Sequence, residues 1–443
     1  MIYDFIEIDK TSDESMYEQL YFQLKNGIEN KLIKKGERLP SIRNASAELK
    51  VSRTTIENAY FRLCNEGYID NKPQRGYFVK TPPKENLSKN LFKFKDEIKY
   101  DYDLSSGKID ASAADIPAWK KFVRSALNNE EDIVSYGEPQ GEFLLRKAIA
   151  SYIYTARGVI SSPENIVVGA GIQQLITILC CIRSKCTVAI EAPGFKQAEK
   201  VFKDFGFDVV IIDSSKTPDK ALEEAGADIY FNIPSRKPKA SAASLHAYRE
   251  RLIKWLNSSD NHYIIEDDFN GELKFSARPF PAMQNMNTGK IIYMGSFSKL
   301  LIPSVRISYA VFPENIIEKY KEMSSFYNQT ASKIEQIALA RYIEEGYLEK
   351  HLRRLKKLYS KKSRDLLKEV NEVFPEGNAK VLESSLSILF ESGSSLSDEE
   401  IMIRINKNKV KIQSVNNGII NISFAGISSK DMKSAVKKIE EAL

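Results

Sequence analysis

The sequence predicts a small helical module with a two-stranded wing, then a larger α/β body on a mostly parallel sheet, then a smaller α+β region. Three observations carry this. Near the start Leu20, Leu24, Ile28 and Leu32 recur every four residues, and two serine-capped helices follow. Between residues 166 and 294 six short apolar runs alternate with helical stretches. From about Ser325 a long helical pattern begins and gives way to mixed short elements before Leu443. Four-residue apolar steps mark one face of a helix, whereas short apolar runs alternating with helices mark strands covered on both faces.

In the module, Leu39-Pro40-Ser41 opens a second helix that runs to about Leu49, with Ser41 as its cap. Ser52 caps a third helix, in which Ile56, Ala59, Tyr60 and Leu63 form the buried stripe. Arg53, Thr54, Thr55 and Asn58 are expected to face away from that stripe, near the end of the helix that reaches base edges in helix-turn-helix proteins. Tyr68-Ile69 and Tyr77-Phe78-Val79 read as a wing with Arg75-Gly76 at its tip. Residues 1–80 thus form one domain. Residues 81–102, polar and basic with Pro82-Pro83, read as a linker, and 103–443 as the second part.

The strands of the second part are expected at 166–168, 187–190, 209–212, 229–231, 263–265 and 291–294, with ligand groups at their carboxyl ends. In the helical region Leu348, Leu352, Leu355 and Tyr359 share a face.

Composition narrows the function classes. The 443 residues are 42% hydrophobic and 28% charged, which fits a globular chain of two or three domains. No apolar run approaches the ~20 residues of a membrane span, and the acidic start Met1-Ile2-Tyr3-Asp4 is no signal peptide, so a cytoplasmic location is expected. Cys64, Cys180, Cys181 and Cys186 lack zinc-type spacing, and His246, His262 and His351 are scattered, so neither a metal site nor a histidine triad is expected. The net charge of +6 is local: residues 31–80 hold eleven Lys and Arg against five Asp and Glu. A DNA-reading module needs its charge there.

The strongest chemical signal is Ser296-Phe297-Ser298-Lys299, after the apolar run Ile291 to Met294, with Arg306 seven residues on and Glu266-Asp267-Asp268 upstream. A lysine in that setting suits pyridoxal 5'-phosphate (PLP). Its amine forms a Schiff base, hydroxyls and guanidinium hold the phosphate, and a carboxylate pairs with the ring nitrogen.

Leu39-Pro40-Ser41-Ile42-Arg43, Val51-Ser52-Arg53-Thr54-Thr55, Glu66-Gly67-Tyr68 and Gly76-Tyr77-Phe78-Val79 resemble the winged helix-turn-helix of the GntR regulators. The resemblance implies contacts to double-stranded operator DNA from Ser41, Arg43, Ser52, Arg53, Thr54, Thr55, Arg75 and Gly76. Tyr136-Gly137-Glu138-Pro139-Gln140-Gly141, Arg157-Gly158-Val159, Gly171-Ile172-Gln173-Gln174, Glu191-Ala192-Pro193-Gly194-Phe195, Glu266-Asp267-Asp268-Phe269 and Pro303-Ser304-Val305-Arg306 resemble a PLP-dependent fold-type I aminotransferase. Together the two halves are similar to the MocR subfamily of GntR regulators. That similarity implies a fold-type I large domain with a smaller α+β C-terminal domain, and a homodimer. It also implies roles: Lys299 holds the cofactor aldehyde, Asp267 the ring nitrogen, Phe195 stacks on the ring, and Gly171, Ile172, Gln173, Ser296, Ser298 and Arg306 grip the phosphate. Tyr136 would reach the phosphate of the neighbouring subunit's site.

Four departures from the family pattern bear on catalysis. Phe269 replaces a tyrosine that bonds the cofactor's phenolic oxygen. Pro234-Ser235-Arg236-Lys237-Pro238-Lys239-Ala240 replaces Pro-Ser-His-Gln-x-Pro-x-Gly. Asn421 and Gln197 stand where arginines clamp a substrate carboxylate. The expectation is a PLP-binding transcriptional regulator that senses a small ligand, either PLP itself or another anionic ligand met by Arg236, Lys237 and Lys239. It is not expected to be an enzyme, although a transamination half-reaction stays open. Competing readings are a working aminotransferase carrying a DNA-binding module, and a scaffold that binds no cofactor.

Overall fold

The computed structural model describes residues 3, 5–10, 12, 14–80, 99–105, 107–192, 195–213, 215–234, 242–275, 280–383 and 385–443. The chain divides into two units, Met1–Ile98 and Lys99–Leu443.

The first unit is built from helices α1 (Met16–Glu29), α2 (Ile42–Leu49) and α3 (Arg53–Asn65) and the antiparallel hairpin β1 (Ile69–Lys72) and β2 (Gly76–Val79). Ser41 Oγ accepts the Asn44 N–H and Ser52 Oγ the Thr55 N–H, so both helices start where their caps predict. Leu20, Leu24 and Ile28 pack against Ile56, Ala59, Tyr60 and Leu63. Leu32 does not join them. α1 stops at Glu29, Lys31 takes a positive φ of 61°, and Ile33 is buried instead, leaving Leu32 64% exposed. The turn breaks the four-residue register. Thr55 also departs from expectation: it lies four residues before Ala59 on the inward face, is buried, and its hydroxyl meets Ser52 Oγ at 2.8 Å. In the wing Ile69 faces Val79 across the pair, and Arg38 bridges to Phe78 on the other side of β2.

The second unit opens with β3 (Tyr102–Leu104), then α4 (Ile116–Leu127), α5 (Phe143–Arg157), β4 (Ile166–Gly169), α6 (Ile172–Ile182), β5 (Thr187–Glu191), α7 (Lys196–Asp204) and β6 (Asp208–Ile212). It continues with α8 (Pro218–Glu224), β7 (Ile229–Asn232), α9 (Ala242–Leu256), β8 (Tyr263–Asp267), β9 (Ile291–Ser296), β10 (Ser308–Val311) and α10 (Glu314–Ser324). The seven strands β4 to β10 form one sheet in the order β4-β10-β9-β8-β7-β5-β6, parallel except for β10. The six-strand expectation passes over β10, although Ile307 to Phe312 carries an apolar signal of its own. Of the expected linker, 81–98 lie outside the described residues. Its last residues already belong to this unit, since the Asp101 N–H donates to the Lys409 carbonyl and Tyr102 begins β3.

The helical region is broken rather than continuous from Ser325. The backbone leaves helix over 325–332, resumes in α11 (Lys333–Glu344), turns at Gly346 with φ of 73°, and enters the long α12 (Tyr347–Val373). Leu348, Leu352, Leu355 and Tyr359 are buried as expected. β11 (Lys380–Leu382), β12 (Ser387–Glu391), α13 (Asp398–Lys407), β13 (Val410–Ile412), β14 (Ser414–Asn416), β15 (Ile419–Ser423) and α14 (Met432–Glu440) complete the fold. Here β11-β12-β15-β14 is an antiparallel sheet, and β13 pairs in parallel with β3. Among the described residues no helix is long and apolar enough to cross a membrane, and no group of His, Cys, Asp or Glu could hold a metal ion.

Candidate functional site

The large sheet brings Asn232, Asp267 and Ser296 to the carboxyl ends of neighbouring strands β7, β8 and β9. In open α/β sheets that edge is where ligands bind. Lys299 follows β9 by three residues. Burial pulls its ammonium down from the usual 10.5 to about 8, because removing water disfavours the charged form. Its Nζ lies 6.0 Å from the centre of the Phe269 ring.

Three consecutive carboxylates end up in different surroundings. Glu266 accepts the N–H groups of Met283 and Gln284, and burial, then Asp268, pushes it up to about 7. Asp268 pairs with Arg157 at 2.6 Å and accepts the Tyr293 hydroxyl at 3.0 Å. Asp267 is buried between them, and strand alternation turns it to the sheet face opposite Glu266. Phe195, Phe269 and Ile172 are partly buried against the apolar cluster on that face, which holds Ile265 and Met294. Phe195 stacks on Phe231, ring centres 6.3 Å apart. Pro193 and Gly194, before it, lie outside the described residues.

A cup forms where α6 begins. Gly171, with φ of 121°, precedes Ile172 and Gln173, whose N–H groups belong to the first turn of the helix. Arg306, itself at a positive φ of 51°, reaches in and donates to the Ala170 carbonyl at 3.2 Å. A Cβ at position 171 would overlap Arg306 Nη2, so glycine is what admits the guanidinium. Ser298 and Ser308 both hydrogen-bond Ser296 Oγ, at 3.3 and 2.9 Å, so three hydroxyls gather at the end of β9. Ser308, Gln174 and Thr330 are the supports that sequence reading misses. Gln174 Oε1 accepts the Ala170 N–H at 2.7 Å and the Thr330 hydroxyl, which fixes the loop carrying Gly171. Only the Gln173-Gln174 pair gives any hint.

A helix N-terminus, an arginine and clustered hydroxyls form a phosphate-shaped set of donors, and a partly desolvated amine with a buried carboxylate completes the requirements of PLP. The residues present fit that group.

The remaining positions are spread out. Tyr136 is 91% exposed on the segment between α4 and α5. Asn421 sits on β15, opposite Leu389 and Ser414, and its Oδ1 is buried with no hydrogen-bond donor among the described residues. Gln197 is exposed on α7, and Arg236, Lys237 and Lys239 lie outside the described residues. In the first unit Ser41, Arg43, Ser52, Arg53, Thr54 and Arg75 are exposed and Gly76 partly so. Thr55 is buried.

Residues 101–439 match the family of aminotransferase class I and II, and residues 16–79 match the bacterial regulatory proteins of the gntR family. The HTH-type transcriptional regulator YdeL of Bacillus subtilis is 32% identical over 98% of both chains. A probable rhizopine catabolism regulatory protein, MocR of Rhizobium meliloti, is 29% identical over 81% of this chain and 77% of its own. The chain belongs to the MocR subfamily of GntR regulators. Another relative, the pyridoxine biosynthesis transcriptional regulator PdxR of Corynebacterium glutamicum, is 26% identical over 80% of this MocR-type chain and 78% of its own. The α-aminoadipate aminotransferase LysN of Thermus thermophilus, solved with N-(5'-phosphopyridoxyl)-L-leucine, shares the fold. It has a TM-score of 0.67 at 20% identity, over 77% of this chain and 91% of LysN.

Proposed function

We propose that this protein is a cytoplasmic, homodimeric transcriptional regulator that binds PLP and uses its occupancy to control operator binding. In this reading residues 1–80 are the DNA-binding domain, and 103–443 the effector and dimerisation domain. The observation that supports it is the cup of donors at Gly171 and Arg306, in a chain with Asn421 where the resemblance places the carboxylate clamp.

PLP supplies an aldehyde that the Lys299 amine bonds and an electron-withdrawing ring. Each other role belongs to the protein. Asp267 keeps a proton on the ring nitrogen, since a buried carboxylate stabilises a cation beside it. Phe195 covers the ring, while Gly171, Ile172, Gln173, Ser296, Ser298 and Arg306 hold the phosphate. Tyr136, which is exposed, would hold the phosphate in the partner subunit's site. Phe269 has no hydroxyl for the ring's phenolic oxygen. Asn421 and Gln197 carry no charge for a substrate carboxylate, so these two positions offer an amino acid no ion pair.

Titrating PLP into apoprotein therefore changes operator affinity or the preferred spacing of half-sites, whereas common amino acids added to the loaded protein leave its visible absorbance in place. DNA binding indifferent to PLP and responsive to one amino acid overturns the choice of signal. The second reading, a transamination half-reaction, is favoured by Lys299 alone: an amine near 8 is partly neutral at physiological pH. Loss of the loaded protein's visible absorbance on adding an amino acid, with one keto acid released per site, would establish it.

A further inference from the structure

The outward face of α12 presents a stripe of one sign of charge. Lys350, Arg353, Lys357, Lys361, Arg364 and Lys368 are all exposed. Their steps of three and four residues keep them within about 80° of one another around the helix axis. At ~1.5 Å per residue the stripe runs about 27 Å.

Most of this charge is left over by the fold. Among the described residues, no carboxylate lies at ion-pair distance from Arg353, Lys357, Lys361 or Arg364. Among the described residues only Lys368 of this stripe has an ion-pair partner, Glu372 at 3.6 Å, and Lys350 stands 5.3 Å over the Tyr347 ring. Asp365 is turned toward Ser429, at 3.5 Å. A face that served only solubility would mix signs, and like charges four residues apart oppose each other along a helix. Arg353, Lys357 and Lys361 are such a series, as are Arg364 and Lys368. The arrangement costs the free protein some helix stability that an anionic partner would return.

We propose that this face of α12 contacts the phosphate backbone of duplex DNA flanking the operator. The inference rests on the DNA-binding reading above and extends the footprint to the effector domain. Duplex DNA offers about one phosphate per 1.7 Å of axis, so a stripe this long meets several phosphates without reading any base. Its contribution is sequence-independent and strongly salt-dependent.

The test compares the full-length, PLP-loaded protein with the triple variant Arg353→Gln, Lys357→Gln, Lys361→Gln. Affinity is measured against salt on two duplexes: a selected operator trimmed to the footprint of the winged modules, and the same operator extended by several helical turns on each side. On the long duplex the slope of log K against log salt should fall in the variant by roughly two to three units for each subunit whose stripe is engaged, so by about five for the dimer, at about 0.9 for each phosphate that is no longer neutralised. On the trimmed duplex both proteins should bind alike, with visible absorbance and far-UV circular dichroism unchanged. An unaltered slope on the long duplex overturns the proposal and leaves the regulator reading standing. A protein that binds no duplex at all overturns both. Unchanged DNA binding with altered transcription in a purified system would overturn it too, assigning the stripe to an acidic protein partner.

Discussion

Arg306 and Gly171 depend on each other, and neither is informative alone. The arginine holds a left-handed backbone and fills the space a side chain at 171 would need. Strain of that kind concentrates at functional sites. Gly171→Ala should therefore displace the guanidinium and release PLP more readily, as Arg306→Ala should. Dialysis with absorbance recorded over time measures the loss, and retention equal to the unsubstituted protein would remove both from the phosphate site. Lys299→Ala should abolish the visible absorbance of lysine-bound cofactor altogether. Lys299 also sets a pH dependence. Its pKa in the fold is lowered to about 8, so the amine is mostly protonated below that value and mostly neutral above it. Cofactor uptake by apoprotein should accelerate with pH up to about 8 and then level, which stopped-flow absorbance can follow. A rate that is flat from pH 6 to 9 would argue against a desolvated lysine nucleophile. Lys299, Asp267 and Arg306 are legible in the sequence because their chemistry is rare in combination. Gln174 and Thr330 are not, because their work is to hold one backbone N–H and one loop, which many residue pairs could do.

At the scale of elements, the caps and the buried stripe of α3 are readable from the chain, and the solvent face only in part. Ser52 announces the helix, but Thr55 is expected outward with its polar neighbours although its position four before Ala59 puts it inside. Leu32 misleads for a related reason, since periodicity continues past the residue where the helix stops. The central strands are visible as apolar runs, while β10 is harder to see because it begins two residues after Arg306, where the chain reads as the tail of the cofactor segment. Exposure separates Thr55, which is buried beside Ser52, from the other proposed DNA contacts Ser41, Arg43, Ser52, Arg53, Thr54, Arg75 and Gly76, which are exposed or partly so. Arg53→Ala should weaken operator binding by roughly 1 to 3 kcal/mol, the worth of one good base contact, with cofactor absorbance unchanged. Thr55→Ala should lower thermal stability of the first unit more than it lowers specificity among operator sequences. Binding assays on the two variants distinguish a reading residue from a packing one, and a reversed ranking would return Thr55 to the recognition surface.

For the whole molecule, a regulator needs two arrangements with different affinities for its ligand, because a ligand that binds both equally shifts nothing. The two halves of this chain have separate cores, so in the proposed regulator a signal from the cofactor site has to pass beyond the core that receives it. Linkage then fixes a relation that does not depend on the mechanism. If PLP changes operator affinity by some factor, operator DNA must change PLP affinity by the same factor, and a typical coupling of ~1 to 3 kcal/mol makes it roughly 5- to 150-fold. PLP binding to apoprotein should therefore be measured by absorbance with and without saturating operator, and operator binding with and without saturating PLP. Equal factors in the same direction are expected. Factors of one in both experiments would mean that the cofactor occupies the site without signalling, and the aminotransferase fold would then act here as a dimerisation body.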